Sequence, residues 1–158
     1  MSYFETYQRK AVEAGYVDQE GDYMVKIRDV ESGQLTTGER YTRVICDINY
    51  KNRPSISIFL TEGKNFDGNL TAFIDSFDIK DLNNTESWKG HYGWIHILLK
   101  KKDGFTNMVH RWLLGDNGFV REEVKQEVQR LNSGMVNIPS AGNTVTGPDG
   151  DEYGDFPF

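Results

Sequence analysis

The sequence predicts a mainly β domain, a five-stranded antiparallel barrel with flanking helices, followed by a disordered C-terminal tail. Two patterns and one discontinuity predict it. Five segments between residues 23 and 113 alternate apolar and polar side chains with a period of two, the repeat of a half-buried strand. One stretch between the third and fourth of them switches to steps of three and four, the repeat of an amphipathic helix. Past Arg130 the chain has no Lys or Arg, and past Leu131 no sustained period.

Taken in order, Ser2-Tyr-Phe-Glu5 has the spacing of a capping box, in which a Ser oxygen and a Glu side chain each satisfy the other's end of a helix. A first helix is expected to run to about Ala14, with Phe4, Tyr7, Ala11 and Ala14 on one packing face and Gly15 as its stop. Tyr23 to Val30 is a first strand, with Tyr23, Val25 and Ile27 on one side and Met24, Lys26 and Arg28 on the other. The Ser32-Gly33 to Gly38 turn leads to a second strand, Tyr41 to Tyr50, where Val44, Cys46 and Ile48 alternate with Tyr41, Arg43 and Asp47. After the turn at Asn52-Arg53-Pro54, Ile56, Ile58 and Leu60 alternate with Ser57, Phe59 and Thr61 in a third. Residues 67 to 77 form the helix, through Leu70, Phe73, Ile74 and Phe77. A polar loop, Asp81 to Ser87, precedes the fourth strand, in which Ile95, Ile97 and Leu99 alternate with Trp94, His96 and Leu98. The Lys100-Lys101-Lys102-Asp103-Gly104 turn reverses it into a fifth, Thr106 to Leu113. Phe119, Val120, Val124, Val128 and Leu131 then recur at helical spacing in a last helix, whose narrow stripe suits its own domain better than a second subunit. Three strands, a helix and two strands is the order of an OB-fold barrel, although small barrels with other wiring share it.

The length suits a domain of residues 1 to 131, a flexible linker of 132 to 148 rich in Asn, Ser, Gly and Thr, and an acidic tip of 149 to 158. No apolar run approaches the roughly 18 residues of a membrane span, and Met1-Ser-Tyr-Phe-Glu-Thr-Tyr7 lacks a basic region followed by an apolar one. A cytoplasmic chain with no membrane partner is therefore expected. The single cysteine, Cys46, falls on an apolar register and reads as a small core residue.

The tip, Asp149-Gly-Asp-Glu-Tyr-Gly-Asp-Phe-Pro-Phe158, cannot pack a core, because its carboxylates repel one another. It can present Phe156, Pro157 and Phe158 as a stiff hook whose terminal carboxylate offers a partner's Arg a bidentate contact. Asp155-Phe156-Pro157-Phe158, with Asp151 and Glu152 upstream, resembles the tip of bacterial single-stranded DNA-binding proteins, which end in several Asp, an apolar residue, Pro and Phe. Tyr153 and Gly154 interrupt the acidic run here. The resemblance implies that Asp151, Glu152, Asp155, Phe156, Pro157 and Phe158 dock on replication, recombination and repair proteins. The body, from Glu20-Gly-Asp-Tyr-Met-Val-Lys-Ile27 through Lys101-Lys102-Asp-Gly-Phe105, is similar to small phage-encoded single-stranded DNA-binding proteins of OB type over roughly residues 20 to 113.

Net charge, −6 overall, is unevenly spread. Residues 131 to 158 carry four acids and no bases, whereas Lys89 to Trp112 carries five bases against Asp103 alone. That stretch is also rich in aromatics. A sequence-tolerant binder of an unpaired strand needs exposed rings for the bases beside cations for the phosphates. On the outward register those residues are Lys26, Arg28, Tyr41, Arg43, Phe59, Trp94, His96 and Lys100, and the turn adds Lys101, Lys102 and Phe105. Arg111 and Trp112 lie on opposite faces of the fifth strand, so one of the two is expected to meet the ligand. One small barrel contacts few nucleotides, so weak self-association into a homo-oligomer is expected.

Catalytic motifs are missing: there is no P-loop, no Gly-x-Ser-x-Gly elbow and no dinucleotide fingerprint. His91, His96 and His110 lack the Cys partners or His-x-x-x-His spacing of a metal site, so no cofactor or metal is expected. Two classes remain. One is a single-stranded DNA-binding protein that recruits partners through its tail; the other is an adaptor whose barrel only displays that tail.

Overall fold

The computed structural model describes Tyr3–Thr6, Gln8 and residues 15 to 136. Five strands and two helices follow in chain order: β1 (Gly21–Gln34), β2 (Arg40–Ile48), β3 (Ser55–Thr61), α1 (Phe66–Phe77), β4 (Tyr92–Lys102), β5 (Phe105–Arg111) and α2 (Glu122–Val136). The strands form one antiparallel sheet in the order β3-β2-β1-β4-β5. Of the first helix expected from the capping box, the described residues include a 3-10 turn over Tyr3–Thr6, with Phe4 exposed, and Gln8; Tyr7, Ala11 and Ala14 lie outside them. No helix among the described residues is long and apolar enough to cross a membrane.

Period-two alternation does in the structure what it must do physically. Paired residues of neighbouring strands share a face, so one apolar register per strand builds a continuous wall. The inner wall comprises Val25 and Ile27, Val44, Cys46 and Ile48, Ile56, Ile58 and Leu60, and Ile95 and Ile97, all buried. Phe73 and Phe77 of α1, with Trp88, cover it. Burial pushes the Cys46 thiol up, so it stays protonated inside this wall. At the turn of β1 the register slips at Arg28, between Ile27 opposite Cys46 and Asp29 opposite Ile45, a bulge that kinks the long strand.

Two close packings hold α1 in place. Its last turn ends at Asp78 in the left-handed conformation (φ 55°), and the Asp78 N–H donates to the Ile74 carbonyl. Opposite, Gly93 leaves room for the Phe77 ring: a Cβ there would stand 2.5 Å from two ring carbons. Because Phe77 is fully buried it cannot yield, so Gly93→Ala is expected to cost about 1–3 kcal/mol. An unchanged urea midpoint for that variant would show that α1 is free to shift.

One expectation is met in part and two need correction. The sheet is open: β3 and β5 are its two edges, they approach within 8 Å between Cα atoms, and no ladder joins them, because a cleft lined by Ser55–Ser57, Gly104–Met108, Gly15 and Tyr16 lies between. The fifth strand ends at Arg111, so Trp112 and Leu113 belong to the connection that follows. The body does not end at Leu131. Helix α2 continues to Val136, and Asn132, assigned by composition to a linker, is buried with its amide donating to the Phe77 and Tyr92 carbonyls (3.1 and 2.9 Å) and accepting from the Tyr92 N–H (2.7 Å). The rest of the linker and the tip, including Asp151, Glu152, Asp155, Phe156, Pro157 and Phe158, lie outside the described residues.

Candidate nucleic-acid interface

The outer face of the sheet follows from the register. Strand pairing puts Lys26, Tyr41, Arg43, Phe59, Trp94, His96, Lys100, Lys102, Phe105 and Arg111 on the side opposite the apolar wall. Lys101 falls on the other register of β4, at the exposed end of the hairpin. The fifth-strand alternative is thereby decided in geometry: Arg111 pairs with His96 outside, whereas Trp112 packs on the core and donates its Nε1 proton to Asn69 Oδ1 at 3.1 Å. Trp112 is a packing residue.

Helix α2 divides this face. Its apolar stripe, Val124, Val128 and Leu131 with Val120 ahead of it, lies against α1 and the start of β4. Met24, Tyr92 and Leu131 form one small cluster and Ala72, Leu113, Val120 and Val124 another, and the Trp94 ring is packed against both. Trp94 therefore sits half-buried beneath α2, with its Nε1 enclosed, rather than standing free as a stacking platform. The period-two pattern cannot reveal this, because it assigns a side chain to a face without saying what covers that face. Lys26 lies over the Tyr92 ring, 5.7 Å from its centre. His96 is held by Asp22, Nδ1 to Oδ1 at 2.7 Å.

On the half of the face made by β2 and β3, Ile45 is buried, Tyr41 and Arg43 are half-buried and Phe59 stands out. Phe59 is 53% exposed and meets Tyr41 edge-on, ring centres 5.7 Å apart. Tyr41 in turn lies across Gly33 of β1, where a Cβ would be 2.5 Å from its hydroxyl oxygen. A glycine with φ in the ordinary range is thus required by a ring, not by a turn. Beside these rings two guanidinium groups are fixed: Arg43 Nε donates to Ser57 Oγ (2.9 Å) and Nη1 to Glu31 (3.2 Å), while Arg28 bonds Asp47 and Ser55, both at 2.9 Å. Both arginines keep further donors for a second anion.

The β4–β5 hairpin completes the surface. Asp103 and Gly104 both have positive φ (51° and 81°), the two-residue turn whose twist matches the strands. It projects Lys100, Lys101, Lys102 and Phe105, which is 73% exposed. These three lysines have no ion pair among the described residues. The start of β5 stands across the open seam from the start of β3, so the hairpin and Ser55–Ser57 border one cleft. Tyr16, Ser55 and Asn107 join the surface there. No sequence signal marks them, since Tyr16 follows a helix stop and Ser55 and Asn107 look like ordinary polar strand positions. His110 takes no part: burial, with Arg111 adjacent, holds its imidazole down to about 4, so it is neutral inside.

The arrangement is a mainly β, five-stranded antiparallel sheet with one rim that carries exposed rings among cations. A scan against protein-family models found no match for this chain, and neither did a search of curated proteins.

Proposed function

We propose that the chain is a single-stranded DNA-binding protein, not an enzyme, whose body is an OB-type barrel and whose acidic tip recruits replication, recombination or repair proteins to covered DNA in the cytoplasm of a bacterial or phage-infected cell. The observation that carries this reading is the rim on which Phe59 and Phe105, both exposed, and the half-buried Tyr41 stand beside Arg28, Arg43, Lys100, Lys101 and Lys102. Rings take bases, at about 1–3 kcal/mol each, and the cations take phosphates. The barrel reading draws on the strand order, on the helix between β3 and β4, and on the approach of the two edge strands. The recruiting role draws on the resemblance of residues 151 to 158 to a known tip. Few nucleotides fit one such rim, so several copies on one strand, weakly self-associated, belong to the same proposal.

The alternative, an adaptor whose sheet only displays the tail, draws on the pairing of Arg28 with Asp47 and Arg43 with Glu31, which already neutralises two cations of the rim. Titration with fluorescent oligo-dT at low and high salt separates the two. Binding that weakens steeply with salt is the expected result, because each phosphate contact releases counterions. Absence of binding at low salt leaves the adaptor. In parallel, a chain truncated before Phe156 is expected to bind the oligonucleotide at least as well as the full chain and to lose partner capture in a pull-down.

A further inference from the structure

We infer that the open seam between β3 and β5 is a pocket for a single unstacked nucleobase. This rests on the reading of the chain as a binder of single strands, and adds to it a discrete base site distinct from the flat Tyr41–Phe59 surface.

The cleft has a volume of about 600 Å³, within the range of small-ligand sites, about 300–1,000 Å³. Two rings stand at it, Phe105 on the hairpin, 73% exposed, and Tyr16 on the segment entering β1, 38% exposed. Flat π faces left open beside a cleft suit a flat π ligand.

The walls also offer hydrogen bonds suited to the edge of a base. The Ile48 N–H donates to the Pro54 carbonyl and the Glu62 N–H to the Arg40 carbonyl, so the even-numbered residues of β3 turn their peptide groups towards β2. By alternation Ser55 and Ser57 turn theirs to the seam. Opposite, the two-residue turn makes Lys102 and Phe105 the hydrogen-bonded pair, which turns the peptide group of Thr106 to the seam. The Ser57 hydroxyl accepts from Arg43 Nε and retains its own proton for donation. The Asn107 amide has no partner among the described residues, and carries both a donor and an acceptor. Backbone and side-chain groups of both kinds thus border one cleft.

Charge favours a nucleotide over an uncharged aromatic ligand. Lys100 and Lys102, on the same outer face as Phe105, lie where the phosphates flanking a seated base would run.

The test is photocrosslinking of the full chain to oligo-dT carrying 5-iodouracil, with the attached residues mapped by mass spectrometry. Crosslinks at Tyr16 and within Gly104–Met108 are expected, and Tyr16→Ala combined with Phe105→Ala should weaken oligo-dT binding by roughly tenfold. Asn107→Ala, at an exposed strand position, provides a second variant if the double one fails to fold by circular dichroism, and should also lose the crosslinks at Tyr16. Crosslinks confined to Tyr41 and Phe59, with wild-type affinity in these variants, would overturn the pocket and leave DNA binding standing. If no oligonucleotide binds at all, both readings fall.

Discussion

Asn132→Ala is expected to be the most damaging single substitution in the body, lowering stability by about 3 kcal/mol and the melting temperature by about 10 °C. The side chain is 2% exposed and joins three backbone groups: it donates to the carbonyls of Phe77 and Tyr92 and accepts from the Tyr92 N–H. It thus ties the end of α1 and the start of β4 to α2. The Phe77 carbonyl keeps a partner in His91 Nδ1 at 2.9 Å, but the Tyr92 N–H loses the Asn132 oxygen it donates to. Asn132→Asp sharpens the test. A carboxylate accepts from Tyr92 but cannot donate to either carbonyl, so its protonated form is the one that the folded state prefers and its pKa is raised on folding. Stability relative to the wild type is then largest below the ordinary carboxylate range and is lost as pH rises through the raised folded pKa. Equal stability of the wild type and Asn132→Ala in urea would show that α2 is not anchored at this point.

Replacing Lys100, Lys101 and Lys102 together with Glu is expected to abolish oligonucleotide binding at low salt while leaving the melting temperature within a few degrees of the wild type. The three side chains are exposed on a hairpin and pair with no acid among the described residues, so their loss removes no internal contact. Neutral replacement by Gln gives the quantitative form. Three phosphate contacts fewer should reduce the slope of log affinity against log salt by about 2 to 3. A triple Gln variant with the wild-type slope would show that the phosphates run elsewhere, over Arg28 and Arg43. The acidic tip and the phosphates compete for the same cations, so removing the tip's acids should raise affinity at low salt and have less effect as salt screens the charges.

The register of each strand was legible because period two is a local property. Val44, Cys46 and Ile48 must share a face whatever their partners are, and the pairing with Ile58 and Ile56 merely joins walls already decided. The same logic placed Tyr41, Arg43, Phe59 and Lys100 outside, and helix α1 was visible through Phe73 and Phe77. Local patterns also misled. Asn132 was read as linker because an Asn in a polar run carries no sign that three backbone groups await it.

By itself, then, the sequence determined which side chains are apolar wall and which are outer face, the turn chemistry at Asp103-Gly104, and the concentration of acid beyond Arg130. These depend on neighbours a few residues away. Only the tertiary structure decided what covers the outer face. Helix α2 lies over Met24 and Trp94 and leaves Phe59 open, and the edges of β3 and β5 approach without pairing, so that Tyr16 and Phe105 border a cleft. Those are contacts between segments far apart in the chain, and burial at that range is settled by packing whole elements against one another, which no periodicity records.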